Sequence, residues 1–373
     1  MSAPRVLTEQ ELNRATLDRQ LLLRRSELDA AQAVEHLVGL QTQVPSNHYV
    51  GLWSRLAGFD AEDFSQRYQK REFVRMSLQR STIHTVTARD CLPLRQLLQP
   101  VQDRSLQGAF GRKLQGIDLG ALAEHARVFV DEEPRTFSEL GKLLAEVYPE
   151  YDVQALGIAA RNNLALVQVT PRGLWLQGGL AKHTTAQAWL GLEQPVPAMS
   201  ADELVLRYLG AFGPASVMDA QMWSGLTGLR EVFERLAGQL VVFRNEGGTE
   251  LYDLPDAPRP GADVEAPARF LPDYDNVFIG HKDRARVHDT RVRKEQVWLA
   301  NSALTTFMVD GRIRGLWKLE TDKKRTTATL NVTALVPLTK AQVAEVETEG
   351  AAFLEFQAPG AEHELRWLAD EDG

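Results

Sequence analysis

Two glutamines, Gln41 and Gln43, stand on either side of a single threonine, where a helical apolar pattern (Val34, Leu37, Val38, Leu40) runs out and Pro45, Ser46 and Asn47 break the chain. An extended segment points alternate residues the same way. Gln41-Thr42-Gln43 would then present two amides to one side, where a helix would splay them. Neither amide titrates. What two side-chain carbonyls can do is accept hydrogen bonds from one water and turn their dipoles toward a developing positive charge. The same spacing also suits a pair of solvated or turn-capping amides, and spacing alone does not choose between the two.

The chain that must position them has 373 residues, enough for two or three domains or subdomains with a substantial core. Hydrophobic residues make up 44% and charged residues 25%, as in an ordinary soluble protein. No apolar run is long enough to span a membrane, and the first residues lack the apolar core of a signal peptide, so a cytoplasmic location is expected. The single cysteine, Cys91, excludes an internal disulfide and a multi-cysteine zinc site, and the eight histidines show no metal-binding spacing. No metal and no cofactor are expected.

Net charge is −8, which at first argues against nucleic acid. The charge is uneven, however. Residues 67–80 hold Arg67, Lys70, Arg71, Arg75 and Arg80 against Glu72 alone, and residues 281–294 hold Lys282, Arg284, Arg286, Arg291, Arg293 and Lys294 against two aspartates. Phosphate binding needs a local basic surface, not a basic whole.

Capping patterns divide the rest. Thr8 with Glu11 opens a helix, and Ser26, with Asp29 in its first turn, opens another running to Leu40. A helical stretch over 49–65 and a cap at Asp60 lead to 73–87, where β-branched and apolar residues predict two strands joined near Gln79 to Ser81. Helices followed by a basic hairpin are the pattern of a winged helix. Residues 134–178 repeat it, with a strand from Val167, a turn at Pro171-Arg172-Gly173 and a returning strand. Residues 202–253 repeat it a third time, with hairpin strands over 240–244 and 250–254. The expected fold is α+β. It has three tandem winged helices over 8–125, 126–198 and 199–258, then a strand-rich region over 268–373. In that last region strands are expected over 305–312, 314–319, 326–335, 354–357 and 365–368, with a helix over 340–350.

These segments together resemble the winged-helix DNA glycosylases of the AlkZ type. Gly39-Leu-Gln-Thr-Gln-Val-Pro followed by Leu52-Trp-Ser-Arg-Leu is similar to that family's Gln-x-Gln catalytic stretch, and Arg80-Ser-Thr-Ile-His-Thr-Val fits the hairpin after it. Phe270-Leu-Pro-Asp-Tyr-Asp-Asn-Val-Phe-Ile-Gly-His-Lys-Asp-Arg resembles a distinctive family segment, and Phe307-Met-Val-Asp-Gly-Arg-Ile-Arg-Gly-Leu-Trp-Lys-Leu its C-terminal hairpin. The middle position, usually apolar in the family, is Thr42, whose methyl can still pack. Retention of glutamine at position 43, where related branches carry aspartate, resembles the branch associated with bulky alkylated guanines and interstrand crosslinks, often encoded beside genotoxin biosynthesis.

The resemblance implies catalysis by Gln41 and Gln43, and the chemistry is consistent with it. Alkylation at N7 leaves guanine cationic, so it departs as a neutral base without a strong general acid. What remains is to place a water against the anomeric carbon and to stabilise an oxocarbenium-like sugar. Gln43 is assigned to the water and Gln41 to aligning water and sugar. DNA contacts are expected from Arg75, Arg80, Lys182, His183, Lys282, Arg284 and Arg286, along an open concave channel that accepts a base too bulky to flip into a tight pocket. The expected partner is damaged duplex DNA, bound by a monomer. A non-catalytic winged-helix DNA binder, or a self-resistance protein that sequesters a genotoxin, stands as the alternative.

Overall fold

The computed structural model describes residues 4–299 and 302–369. The ends of the N-terminal reading and of the C-terminal region, residues 1–3 and 370–373, lie outside the described residues. The first helix, Glu9–Arg19, is held by the Thr8–Glu11 capping box. The second differs from expectation. Its cap is Asp29, which with Gln32 forms a capping box that leaves Ser26 outside, and it spans only Ala30–His36. It stops early because Val38 and Gly39 take left-handed φ angles of 56° and 93°, which turn the chain into the strand Leu40–Gln41. Only glycine fits at 39: a Cβ there would lie 2.7 Å from Val86 Cγ1 and 3.2 Å from the Thr85 carbonyl.

That short strand is the edge of a five-stranded antiparallel sheet, in the order Leu40–Gln41, Ile83–Thr87, Phe73–Ser77, Leu166–Gln168, His183–Thr185. The expected first hairpin is therefore present, turning at Gln79–Ser81. The second is rebuilt. Its returning strand is His183–Thr185, and the segment from Pro171 to Trp175 is a turn and loop. Leu174 is buried there among Tyr49, Phe64 and Tyr68, so apolar side chains expected in a strand serve instead to pin a long connection to the first unit. The two hairpins fuse into one sheet.

Residues 201–253 follow the expected order: helices Ala201–Phe212, Val217–Ser224 and Leu229–Arg235, then strands Val241–Asn245 and Glu250–Asp253, with Val6–Leu7 added in parallel. One face of the five-stranded sheet (Val74, Met76, Val86) shares a continuous core with Tyr208, Phe212 and Trp223 of these helices. The C-terminal region is a second five-stranded sheet, in the order Glu362–Leu368, Thr327–Ala334, Arg312–Thr321, Thr306–Val309, Arg269–Leu271, with the helix Lys340–Gln357 across it. Residues 354–357, expected as a strand, end that helix: Phe353 and Leu354 face the sheet at helical spacing. The Asp310-Gly311 turn has φ of 48° and 71°, the two left-handed residues a tight hairpin requires. No helix among the described residues is long and apolar enough to cross a membrane.

Candidate active site

Gln41 lies opposite His84 in the ladder, and the Thr42 amide continues the pairing with a 2.8 Å bond to the Ile83 carbonyl. The strand ends at Gln41, the Thr42 hydroxyl turns toward Thr85, and the chain bends at Gln43. The two amides are held differently. Gln41 is buried, and its Oε1 accepts a 2.6 Å bond from Arg80 Nη2. Gln43 is exposed, and its Oε1 makes only a long 3.4 Å contact with the Ile83 amide. Arg80 sits at the hairpin turn with φ of 54°, and it also donates to the Trp223 carbonyl. Gly225 permits this approach: a Cβ there would be 3.3 Å from the Arg80 backbone. Burial, and secondarily the neighbouring Arg284, push the Arg80 guanidinium down to about 10, which leaves it charged near neutral pH. One glutamine is thus locked to a half-buried cation, while the other is exposed with a single long contact at its carbonyl.

Behind the strand, a directional chain of hydrogen bonds fixes Thr42. His48 Nε2 lies 3.0 Å from the Gly173 carbonyl, which only accepts, so Nε2 carries the proton. His48 Nδ1 then accepts from the Thr85 hydroxyl at 3.0 Å, and Thr85 Oγ1 accepts from Thr42 Oγ1 at 3.0 Å. Arg75 closes the arrangement with a 2.5 Å bond to the Thr42 carbonyl and a 2.8 Å bond to Gln168 Oε1. The threonine hydroxyl, and not only its methyl, is used. A leucine or valine at 42 would take the donor from Thr85 Oγ1 and the 3.4 Å Oγ1 contact from Arg75 Nε, both in the interior.

The distinctive 270–284 segment clamps both ends of this stretch. Asn276 Nδ2 donates 2.8 Å to the Gly39 carbonyl and Asn47 Nδ2 donates 2.8 Å to the Asp273 carbonyl. Asp275 forms a bidentate pair with Arg55, both bonds 2.8 Å and both side chains buried. Asn276 and Asp275 were legible only as parts of a motif. Their polar, non-periodic placement within Phe270-Leu-Pro-Asp-Tyr-Asp-Asn is the signal that marks them.

The residues expected on DNA divide. Arg75 is 1% exposed and braces Thr42, so it has no free surface for a phosphate on the outside of the protein. Arg286 is likewise interior, donating to the Pro214 carbonyl (3.0 Å) and Thr16 Oγ1 (3.2 Å). His183 is not on a surface loop but in a strand, buried and stacked on Phe137 with ring centroids 4.0 Å apart. Lys182 is partly exposed and 3.7 Å from Glu133. Lys282 is exposed, its amide capped by Asp219. Arg284 is half-buried, its guanidinium 5.0 Å and 4.9 Å from the ring centroids of Phe278 and Trp298. The structure joins Gln41 to Arg80, sets Arg284 close enough to Arg80 to act on its charge, leaves Gln43 against the Ile83 amide and turns Arg75 to the Thr42 carbonyl. Among the described residues no group of three His, Cys, Asp or Glu side chains could hold a metal.

The histidines around the sheet are held neutral. Burial pushes His48, His84 and His183 down to about 3, with Arg75 and Arg80 adding to it at His48 and His84. Unfolded histidines titrate at the ordinary value of 6.5. Between these values the unfolded chain binds more protons, so stability is full above the unfolded pKa and is lost as pH falls toward the folded one. Urea midpoints are therefore expected to be flat from neutral pH to about pH 9 and to fall steadily below about pH 6.5. Midpoints that rise on acidification would contradict this.

A family model described as DNA glycosylase AlkZ-like matches residues 34–356. The structure of Streptomyces sahachiroi DNA glycosylase AlkZ superposes with a TM-score of 0.79 at 20% identity, covering 97% of this chain and 100% of that one. A search of curated proteins gives no significant sequence match. The chain belongs to the AlkZ-like DNA glycosylase family.

Proposed function

We propose that this member of the AlkZ-like family is a DNA-repair glycosylase that hydrolyses the N-glycosidic bond of cationic N7-alkylguanine, bulky and crosslinked adducts included, and leaves an abasic site. The observation that carries the reading is the unequal pair: Gln41 fixed by Arg80, and Gln43 exposed beside it with its carbonyl almost free. In this reading Gln43 accepts a hydrogen bond from the attacking water, and Gln41 holds the register between water and sugar. The amide dipoles face the oxocarbenium-like sugar, and the base leaves neutral because alkylation already supplied its positive charge. His84, directly across from Gln41, is neutral and donates no proton to the base. The rate is accordingly expected to depend little on pH near neutrality. Amide carbonyls activate a water less strongly than a carboxylate would, which restricts the enzyme to labile lesions.

Gln43 sits at the outer edge of the sheet and not at the bottom of a pocket, which supports action on adducts that cannot be extruded into an enclosed site. Arg284 and Lys282 are the proposed contacts to the DNA backbone beside it, with Lys182 further along, and the protein acts as a monomer with water as its only co-substrate. Arg284→Ala is expected to weaken duplex binding uniformly across sequences and to lower the salt slope by about 1. An unchanged slope in a titration of affinity against salt would remove it from the backbone. The substrate is tested with a duplex carrying one N7–N7 guanine crosslink. Unhooking appears as conversion of the slow crosslinked band to single strands on a denaturing gel after mild treatment. Release from monoadducts alone would confine the activity to small lesions, and tight binding without release from either would make the protein a binder.

A further inference from the structure

The face of the first sheet turned away from Gln41 carries a polar row. Thr85, Arg75, Gln168 and His183 are successive register partners across four strands, and Ser77, two residues from Arg75, points the same way. Around this row cations collect without counter-ions. Arg75 bonds only to neutral oxygens, Thr42 and Gln168. Arg161, from the helix Val153–Asn163, donates to Ser77 Oγ (3.2 Å) and to the Ser81 carbonyl (2.7 Å), and its Nε is buried without a partner. Arg172 donates to the Gly179 carbonyl, and its Nε is also buried and unpartnered. Gly173, next to it, lies so close to Arg75 that a Cβ would be 3.3 Å from Arg75 Cδ. His183, only 2% exposed, has no partner at either ring nitrogen. Two carboxylates that flank the His183 strand are committed elsewhere, Asp131 to Thr185 and Glu133 to Arg135 and Lys182.

Gathering three guanidiniums and an imidazole with unmet donors costs free energy, because like charges repel and buried N–H groups lose water. An oxyanion reverses both costs. A tetrahedral phosphate offers several acceptor oxygens and pairs well with arginine forks. Arg161 and Arg172 are half-buried, so the row is reached from outside past their side chains. The mutual repulsion of Arg161, Arg75 and Arg172 with a protonated His183 also contributes to keeping that ring neutral in the free protein.

We propose that Arg161, Arg172 and His183, backed by Arg75, form a phosphate subsite that holds one backbone phosphodiester of the DNA strand. The inference rests on the glycosylase reading and assigns a grip to the side of the strand opposite the glutamines. Arg75 is then a positioning residue that couples this anion to the Thr42 carbonyl between the two glutamines.

The test uses the full-length Gln43→Ala protein, so that the lesion survives, and duplexes in which a single phosphate near the lesion is replaced by neutral methylphosphonate. The substitution is in the DNA, so no variant need fold for the first arm. Anisotropy should show one position, or two adjacent ones, at which neutralisation weakens binding roughly tenfold. In the same protein with Arg161→Gln and Arg172→Gln, binding should be weaker and indifferent to that position, with the melting temperature showing that it remains folded. A penalty of equal size in that variant overturns the assignment. If no position matters but inorganic phosphate raises the melting temperature above ionic-strength-matched chloride, the site holds free phosphate and the DNA assignment falls. If neither effect appears, the subsite does not exist. Absence of any duplex binding would overturn the glycosylase reading along with it.

Discussion

Gln43→Ala lowers single-turnover base release by about 100-fold or more and leaves duplex affinity within a few-fold, the signature of a group that acts mainly in the transition state. The expectation follows from how the side chain is held. Gln43 is exposed and its one contact is long, so its removal takes away an acceptor for water and disturbs little of the sheet. Gln41→Ala is expected to reduce release by a comparable factor through a second route. Its Oε1 is the side-chain acceptor for Arg80, and alanine leaves a half-buried guanidinium N–H short of a partner at the hairpin turn. The two variants separate in stability: Gln43→Ala should unfold at the wild-type urea concentration, whereas Gln41→Ala should lose on the order of 1–3 kcal/mol. Equal rates in wild type and Gln43→Ala would remove the water-positioning role from this residue.

The second large effect is structural. Asp275→Ala removes the partner of Arg55, whose side chain is 0% exposed, and leaves an uncompensated charge in the interior. Breaking a buried pair from one side costs roughly 3–5 kcal/mol. Asp275 also caps the short helix Asn276–Ile279 and is followed by Asn276, which holds the Gly39 carbonyl. The loss should therefore reach the glutamines, and base release should fall even where the protein stays folded. Replacing both partners, Arg55→Met with Asp275→Leu, should recover much of the stability, because the charges themselves and not the contact area carry the penalty. Urea unfolding of the single and double variants measures both. A single variant within about 1 kcal/mol of wild type would mean that the pair is water-accessible in solution.

Local features were legible where their causes are local. Thr8 and Asp60 cap the helices expected of them, because a capping side chain reaches only two or three residues ahead. The 73–87 hairpin was legible from alternation and a short turn. What sequence could not supply was the partner of each strand. Pro171-Arg172-Gly173 is a genuine turn signal and predicts a returning strand directly after it, yet Leu174 is drawn into the apolar cluster of Tyr49, Phe64 and Tyr68, and the strand returns only at His183. Basic clusters told the same half-truth. Arg75 and Arg80 belong to one run, but strand alternation and the left-handed turn send Arg75 to the inner polar row and Arg80 to Gln41. Arg286 points inward two residues after Arg284 points toward the site. Of the site itself, the glutamine pair was readable from spacing and resemblance. The Arg80 lock and the His48–Thr85–Thr42 relay depend on contacts across more than thirty residues of chain, which no local pattern encodes.

The central claim is that two amides, one locked and one free, suffice to hydrolyse the bond to a cationic base. It is tested by incubating the protein with a duplex containing one N7-methylguanine and measuring free base by mass spectrometry, with abasic sites scored by alkaline cleavage. The account predicts that wild type releases 7-methylguanine well above spontaneous depurination, one abasic site per base, and that the Gln41→Ala, Gln43→Ala double variant falls to the spontaneous rate while still binding the duplex. Release by the double variant at the wild-type rate would contradict it.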